Sequence, residues 1–187
     1  MTMPGHPRAT GSDVEAVVGE PVTDAVLDAR RQVSFDGYEF RRTMGRFATG
    51  ISVVTMLRDD APYGITVNSF MSLSLTPPLI AVSIDTSAGA HATLLAAERF
   101  GVSVLSAEQS DLSDRFAGRP VAHTADPFTS LAGFPVIAGA IGTLIGRIVR
   151  TVDVGDHTLF IAEVETIERR DGQPLIFFGG QYRVLDH

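Results

Sequence analysis

The pattern of hydrophobic and polar positions changes period along the chain, and each change predicts an element. Phe40, Met44 and Phe47 recur at helical spacing in "FDGYEFRRTMGRFA" and predict a leading helix. From Gly50 the period falls to two. "GISVVTML" predicts a β-branched strand, "RDDAPYG" its turn and "ITVNSF" the returning strand. A sheet is therefore expected to begin near residue 50.

The middle of the chain alternates short strands and helices. "PLIAVSID", residues 78–85, is an apolar run between prolines and a polar turn, and predicts a buried strand. "AHATLLAAERF" predicts a helix, "GVSVLS" a strand, and "AEQSDLSDRFAG" a helix that ends at Gly118. The Pro- and Gly-rich residues 119–140 predict a long surface loop.

The last third of the chain predicts two long strands around the turn "DVGDH", followed by the segment "PLIFFGGQYRVL". The whole pattern gives about seven strands and three or four short helices. Since strands mostly follow strands, antiparallel pairing in a closed or half-closed barrel is favoured over βαβ units. The expected fold class is mainly β.

The first 34 residues differ from the rest. Their first twelve residues are mostly small, polar, Pro or Gly, whereas "TDAVLDARRQV" has helical spacing and Thr23 as a possible cap. We expect residues 1–34 to form an N-terminal arm, partly disordered or helical. Residues 35–187 are expected to form one domain, which their number allows.

Composition and charge exclude several classes of protein. The 187 residues carry a net charge of −7, with 44% hydrophobic and 20% charged residues, which is typical of a soluble globular protein. No apolar run approaches the roughly 20 residues of a membrane span, and no signal peptide is evident, so we expect a cytoplasmic protein. No arginine cluster exceeds a pair, which argues against nucleic-acid binding.

The absence of certain residue types excludes several kinds of catalytic and metal-binding chemistry. Cysteine is absent, which excludes thiolate catalysis and iron–sulfur ligation. All 15 basic residues are arginine, so neither a P-loop lysine nor an internal Schiff base is available. The five histidines are scattered singly and have no metal-ligand spacing, so no metal site is expected.

The stretch "NSFMSLSLTPP" concentrates hydroxyl groups, on Ser69, Ser72, Ser74 and Thr76. If residues 66–75 form one strand, alternate side chains give a donor-rich face, while the face with Leu73 and Leu75 suits a core. The two prolines that follow must break the strand pairing. Residue pattern alone leaves two interpretations open: the hydroxyls bond their own backbone in turns, or they bind a ligand.

Six motifs that occur in a fixed order favour the second interpretation, in which the hydroxyls bind a ligand. "FRRTMGRFATGISVVT", "GITVNSFMSLSLTPPLIAVSID", "RFGVSVL", "QSDLSDRFAG", "GDHTLFIAEV" and "PLIFFGGQYRVL" resemble the flavin reductase-like family, the reductase components of two-component flavin-dependent monooxygenases. The resemblance covers roughly residues 40–185. It implies an FMN-binding split barrel with Greek-key antiparallel strands, and a homodimer with flavin near its interface. It also implies hydride transfer from C4 of NADH or NADPH to N5 of FMN or FAD, and a separate oxygenase that receives the reduced flavin.

The same resemblance implies a set of flavin-binding residues. The ring and ribityl chain would be lined by Thr66, Val67, Asn68, Ser69, Phe70, Ser72 and Ser74, and the flavin tail by Ser83, Ile84, Asp85 and Thr86. His91 stands where the family often has Ser, Thr or Lys near the phosphate, which is a departure. Arg115 and Phe116 match a basic–aromatic pair beside the phosphate or tail, and Arg115 is the preferred anion partner.

Two further motifs are implied to border the nicotinamide. "GDH" matches the turn whose histidine, here His157, would orient the nicotinamide as a catalytic residue; seen alone, the turn favours an exposed histidine without a ligand. "FFGGQY" contributes Phe178, Gly179, Gly180 and Tyr182, whose aromatic rings either stack on a ligand or belong to the core. Hydride transfer needs orientation rather than a strong acid or base, which fits a chain without an acid–base cluster.

Two other functions remain. A pyridoxamine-phosphate-oxidase-like enzyme could share the fold, although the serine-rich stretch and the "GDH" turn argue against it. A flavin carrier or sensor without catalysis would keep the same binding segments. Flavin-stimulated oxidation of NAD(P)H distinguishes these functions from a reductase.

Overall fold

The computed structural model describes residues 34–122 and 125–185. Residues 1–33, which make up nearly all of the predicted arm, lie outside the described residues, so the arm and the domain boundary stay predictions. None of the described helices has the length and apolar content that a membrane-spanning segment requires.

Three α-helices and one 3₁₀ turn occur in the described part of the chain. They are α1 (Gly37–Met44), α2 (His91–Ala96), the 3₁₀ turn (Ala107–Gln109) and α3 (Ser110–Phe116). Asp36 caps α1 by accepting a hydrogen bond from the backbone N–H of Glu39 at 2.8 Å. All three helices confirm the sequence pattern, but α2 is shorter than predicted because Arg99 and Phe100 enter the next strand.

The strands of the described residues follow in chain order: β1 (Thr49–Gly50), β2 (Ser52–Arg58), β3 (Ala61–Val67), β4 (Met71–Leu75), β5 (Pro78–Asp85), β6 (Arg99–Val104), β7 (Phe128–Leu131), β8 (Phe134–Ile137), β9 (Gly142–Val154), β10 (His157–Arg169), β11 (Ile176–Phe178) and β12 (Gln181–Arg183). Predicted strand 78–85 and the long pair around "DVGDH" are confirmed.

Seven strands form one antiparallel sheet in the order β3-β2-β6-β9-β10-β5-β4. Its two edge strands, β3 and β4, are consecutive along the chain and are joined by residues 68–70 alone. So short a link forces the sheet to curl until its edges meet at one end, yet no ladder joins them among the described residues. We call this open line between β3 and β4 the seam. It makes the barrel a split barrel, so the predicted mainly β split-barrel fold is confirmed.

Two apolar clusters hold the site in place. The barrel interior is filled by fully buried side chains that include Met56, Phe100 and Phe160. The second cluster, around Ile51 and Leu105, lies outside the barrel interior and packs against α3 and the β11–β12 hairpin. Burying such aliphatic and aromatic side chains stabilises the fold by about 1.5–3 kcal/mol each.

The predicted continuous strand 66–75 is wrong. The ladder breaks at residues 68–70, and β4 then pairs only with β5 as a hairpin whose tight turn is Thr76 and Pro77, while Pro78 begins β5. Leu73 and Leu75, predicted for the core, are instead 44% and 88% exposed in this chain. A bulge between Ser72 and Ser74 interrupts the period of two at Leu73, and β4 is an edge strand of the sheet.

Two predicted irregular segments contain strands. The turn "RDDAPYG" is in fact two residues, Asp59 and Asp60, both at positive φ as a tight hairpin requires, and β3 already starts at Ala61. The predicted loop 119–140 includes the β7–β8 hairpin, where Phe134 and Val136 are buried. Pro and Gly had suggested a loop, but residues 128–131 and 134–137 pair as a separate two-stranded ribbon, and β8 packs against β6.

Candidate active site

The link across the seam is fixed by Ser69. Its hydroxyl donates to the carbonyl of Ser83 on β5 at 2.8 Å and accepts from the N–H of the same residue at 3.2 Å. Ser74 likewise accepts from the N–H of Thr76 at 3.2 Å, as a serine turn does. For these two serines the hydroxyls bond the protein's own backbone, and their contact with a ligand stays a prediction.

A cavity of about 160 Å³ opens beside the end of β3. It is lined by Ile51, Thr66, Val67, Asn68, Ser113, Ala117, Arg119, Phe177 and Tyr182. Three of these are residues predicted to bind flavin, and Tyr182 was predicted to border the nicotinamide. The fold therefore brings the two predicted segments, more than 100 positions apart in the sequence, to one cavity.

The polar residues of this cavity differ in how they are engaged. Thr66 donates its hydroxyl proton to the carbonyl of Ser113 at 2.7 Å. Asn68 is exposed, and its side chain has no hydrogen-bond partner among the described residues. Val67 is 8% exposed and packs in the barrel core, so only its backbone can meet a ligand.

Tyr182 connects the β11–β12 hairpin to α3. Its hydroxyl lies 2.8 Å from the hydroxyl of Ser113 and 2.7 Å from a carboxylate oxygen of Asp114. Burial raises the pKa of this phenol, and the nearby Asp114 carboxylate adds to the effect. Its ring packs against Phe177 at 6.0 Å and against the second core cluster. The Tyr182 ring therefore packs against the core, while its contact with nicotinamide stays a prediction.

The turn of that hairpin is formed by Gly179 and Gly180, at φ values of +61° and +80° that glycine adopts readily. The N–H of Gly179 donates to the carbonyl of Gly45, at the end of α1, at 2.8 Å. Phe178 is half-buried just before the turn. The hairpin is thus tied to α1 as well as to α3.

A second polar cluster lies where β5 and β10 meet. Asp85 and His157 are directly opposed in the register of these two strands. Hydrogen bonds from the side chain and backbone of Ser87, both 2.7 Å, lower the pKa of Asp85, and the nearby His157 and His91 lower it further. Thr86 reaches the same turn, since its N–H donates to the carbonyl of Asp156 at 3.0 Å.

His157 is oriented by its neighbour. Its Nδ1 lies 2.7 Å from a carboxylate oxygen of Asp156, which fixes one ring nitrogen as the donor. The side chain is 41% exposed, so its other nitrogen is accessible to a ligand. Its position at the β9–β10 turn agrees with the predicted turn, while its contact with nicotinamide stays a prediction.

His91 is engaged more deeply. Its Nε2 lies 2.9 Å from the hydroxyl of Thr158, a residue that is 1% exposed. Thr158 in turn donates its only hydroxyl proton to Asp153 at 2.9 Å, so Nε2 of His91 must carry the proton of the first bond. A neutral His91 therefore has no second N–H for a phosphate, and only its protonated form offers one.

Arg115 and Phe116 do not line the cavity. Arg115 donates to the carbonyl of Ala125 at 3.3 Å, and its guanidinium lies 5.7 Å from the Phe116 ring. Phe116 packs edge-on against Phe128 at 5.6 Å and lies directly over Gly64. The arginine near the predicted flavin segment is Arg119, which also bonds Asp114 at 2.8 Å.

The remaining predicted flavin residues lie on the link, on β4 and on β5. Ile84 is 2% exposed and belongs to the barrel core, so its side chain is not available to a ligand. Phe70 is half-buried against the same core. Ser72 is exposed on β4, at a shallow groove of about 380 Å³ that also includes Leu75 and Ile167.

Sequence reasoning missed several polar residues of these clusters. Ser113 and Asp114 lie in "SDLSDRFAG", a motif from which only the following pair was used. Thr158 directly follows "GDH". Thr49 gave no signal, yet its hydroxyl is buried without a hydrogen-bond partner in the part of the chain that is described. A buried unpaired hydroxyl next to the hairpin is a further candidate for a ligand contact.

Comparison with known proteins agrees with this geometry. Residues 44–186 match the flavin reductase like domain family. The chain is 41% identical over 166 residues to the FMN reductase (NADH) SmoA of Agrobacterium fabrum (strain C58). The aligned region covers 86% of this chain and 95% of that protein. It is 34% identical over 152 residues to the reductase component of a 4-nitrophenol 4-monooxygenase/4-nitrocatechol 2-monooxygenase of Rhodococcus opacus. The aligned region covers 79% of this chain and 80% of that protein.

The solved structure of the flavin reductase PheA2 in its native state has the same fold. The TM-score is 0.79 at 40% sequence identity, over 82% of this chain and 100% of that chain. The resemblance drawn from six ordered motifs is thereby confirmed. This chain belongs to the flavin reductase-like family.

Proposed function

We propose that the protein is an NADH-dependent flavin reductase that supplies reduced FMN or FAD to a separate flavin-dependent oxygenase. One observation supports it above the others: the cavity at the seam joins the segment of Thr66 and Asn68, predicted to bind flavin, to Tyr182 of the segment predicted to border nicotinamide. The names of SmoA and of the Rhodococcus opacus reductase component point to the same donor, product and type of partner.

The residues at the seam fit a flavin. Isoalloxazine and ribityl groups need several hydrogen-bonding groups beside apolar surface. The amide of Asn68 has no partner among the described residues, and residues 68–70 lie outside the ladders, which gives polar groups to bind. Ile51 and Phe177 supply apolar walls. A bound flavin would supply a hydride acceptor at N5.

The chain's own part is positioning. The seam residues bind and orient the ring system, and the hairpin with Tyr182 excludes water from one side. His157, held by Asp156 at 2.7 Å and 41% exposed, orients the nicotinamide from the mouth of the barrel. No side chain has to move a proton during hydride transfer, and the described residues that line the cavity include no aspartate, glutamate or histidine.

We also propose a homodimer. The groove at β4, β5 and β10 leaves Leu75 88% and Ile167 73% exposed, with Leu73 half-exposed on the same edge strand. Apolar patches of this kind on an edge strand need cover. A second copy is the natural occupant, because it would bury the groove beside Ser72 and Ser74 and thereby close the seam over bound flavin.

Steady-state kinetics test the proposed function. We expect NADH oxidation to rise on addition of FMN or FAD, with NADH giving a higher kcat/KM than NADPH for either flavin. Activity with NADPH alone would contradict the choice of donor. Flavin binding without any oxidation of either nicotinamide would instead identify a flavin carrier. Reduced flavin released by the protein should also support turnover of a separately purified flavin-dependent oxygenase.

A further inference from the structure

Ser113 connects two segments that are distant in the sequence. It lies in α3 and is 0% exposed. Its carbonyl accepts from the hydroxyl of Thr66 at 2.7 Å, and its own hydroxyl pairs with that of Tyr182 at 2.8 Å. One buried residue therefore holds the end of β3 and the β11–β12 hairpin at a fixed separation.

The direction of these bonds follows from chemistry. The Asp114 carboxylate only accepts, so Tyr182 donates its single proton to it at 2.7 Å and must accept from the hydroxyl of Ser113. Arg119 donates to the same carboxylate at 2.8 Å and neutralises it. The result is a chain of bonds in which each hydroxyl proton has one defined acceptor.

This chain of bonds is not what attaches the hairpin. β11 pairs with β1, and Gly179 donates to Gly45 at 2.8 Å, so both hold the hairpin independently of Tyr182. Loss of the bond between Ser113 and Tyr182 should therefore leave the hairpin folded. Without that bond, the position of the Tyr182 ring would be less well defined.

We propose that Ser113 is a positioning residue for the hydride transfer, which sets the distance between the flavin segment at Thr66 and the nicotinamide segment at Tyr182. This inference rests on the proposed function. Ser113 borders the proposed flavin cavity, but its carbonyl and hydroxyl are engaged by Thr66 and Tyr182, so it acts through these two residues. Reacting atoms must approach to about 3–3.5 Å, and a displacement of about 1 Å can cost two orders of magnitude in rate. A looser hairpin would thus slow hydride transfer while flavin stays bound.

Matched variants isolate the effect. Ser113→Ala removes the hydroxyl but leaves the carbonyl that Thr66 uses, and Tyr182→Phe removes the other half of the bond. Ser103→Ala is the control for the first, because Ser103 is also 0% exposed and its hydroxyl accepts one bond, from the N–H of Ile137 at 2.9 Å. Tyr63→Phe is the control for the second.

Three quantities are measured on the full chain: flavin affinity by fluorescence titration, the anaerobic rate of flavin reduction by stopped flow at saturating NADH, and the charge-transfer absorbance of stacked nicotinamide and flavin. We expect Ser113→Ala and Tyr182→Phe each to slow reduction about tenfold and to weaken the charge-transfer band, while flavin affinity stays close to wild type. The double variant should be no slower than the slower single one.

Reduction and charge-transfer absorbance at wild-type values in Ser113→Ala, with a loss of thermal stability like that of Ser103→Ala, would overturn the inference. If Ser113→Ala does not fold, wild-type values in Tyr182→Phe overturn it equally. A wild-type protein that binds flavin but is not reduced by NADH would overturn the proposed function, and the inference with it. If the wild-type protein is reduced by NADH and the variants are reduced at the same rate, the inference about Ser113 is overturned but the proposed function is not.

Discussion

The hydroxyl of Ser69 bonds both backbone groups of Ser83, donating to its carbonyl at 2.8 Å and accepting from its N–H at 3.2 Å. This pair of bonds ties the link between the two edge strands to β5 and continues the register in which β4 pairs with β5. The segment predicted to bind flavin is thereby held in one conformation before any ligand arrives. Such preorganisation lowers the entropic cost of binding.

Ser69→Ala should therefore affect both stability and binding. Two backbone groups of Ser83 lose their partner, so we expect the free energy of unfolding to fall by about 1–3 kcal/mol and flavin affinity to fall as well. Urea denaturation and fluorescence titration measure these effects. Ser72→Ala is the control for stability alone, since the Ser72 side chain is exposed and has no hydrogen bond among the described residues; its stability should stay within about 0.5 kcal/mol of wild type. Equal stability of the two variants would contradict this role of Ser69.

Arg115 is predicted to neutralise the flavin phosphate. Arg115→Ala should weaken binding of FMN more than that of riboflavin, because a charge-assisted hydrogen bond contributes about 1.5–3 kcal/mol, or about one to two decades in affinity. Titration with both ligands measures the difference. Arg170→Ala, at an exposed arginine paired with Glu168, is the control. Equal weakening of FMN and riboflavin would assign Arg115 a structural role beside Phe116 and Ala125.

His157→Ala should act on the nicotinamide rather than on the flavin. We expect a higher KM for NADH or slower hydride transfer, with flavin affinity close to wild type, because the imidazole is half-exposed at the barrel mouth and is oriented by Asp156. Stopped-flow reduction across NADH concentrations is set beside the melting temperature. A lower melting temperature with unchanged reduction kinetics per folded molecule would remove His157 from the site.

Leu75 tests the dimer. A charge at this position, 88% exposed in the single chain, should prevent burial of the groove with Ile167 in a second copy. We expect wild-type protein to scatter light as a dimer at micromolar concentration and Leu75→Glu to scatter as a monomer. Leu95→Glu, at a half-exposed residue of α2, is the control and should remain a dimer. A monomeric wild type with flavin bound would contradict the proposal.

Much of the fold could be predicted from the sequence because its signals are local. The apolar run 78–85 and the long strands on either side of residues 155–156 have clear periods and turn residues, and the structure confirms them. Leu73 and Leu75 were misplaced because period two identifies a face but not what covers it. The β7–β8 hairpin was missed because Pro and Gly dominate its flanks.

The candidate site could be predicted only in part. The ordered motifs identified both the segment of Thr66 and that of Tyr182, yet no sequence spacing reveals that Ser113 bonds both of them. Such contacts depend on how α3 packs against the barrel, which is a long-range property. His91 illustrates the converse: its departure from the family pattern was visible, but its bond to buried Thr158 was not.

The measurement that tests the account most directly is anaerobic mixing of the purified protein and FMN with NADH, while the flavin absorbance is followed. If the seam of the barrel is a flavin site where nicotinamide can stack, the absorbance should bleach far faster with protein than with NADH and FMN alone, and the rate should saturate with NADH. Bleaching no faster than the protein-free reaction, with FMN and with FAD, would contradict the proposed function.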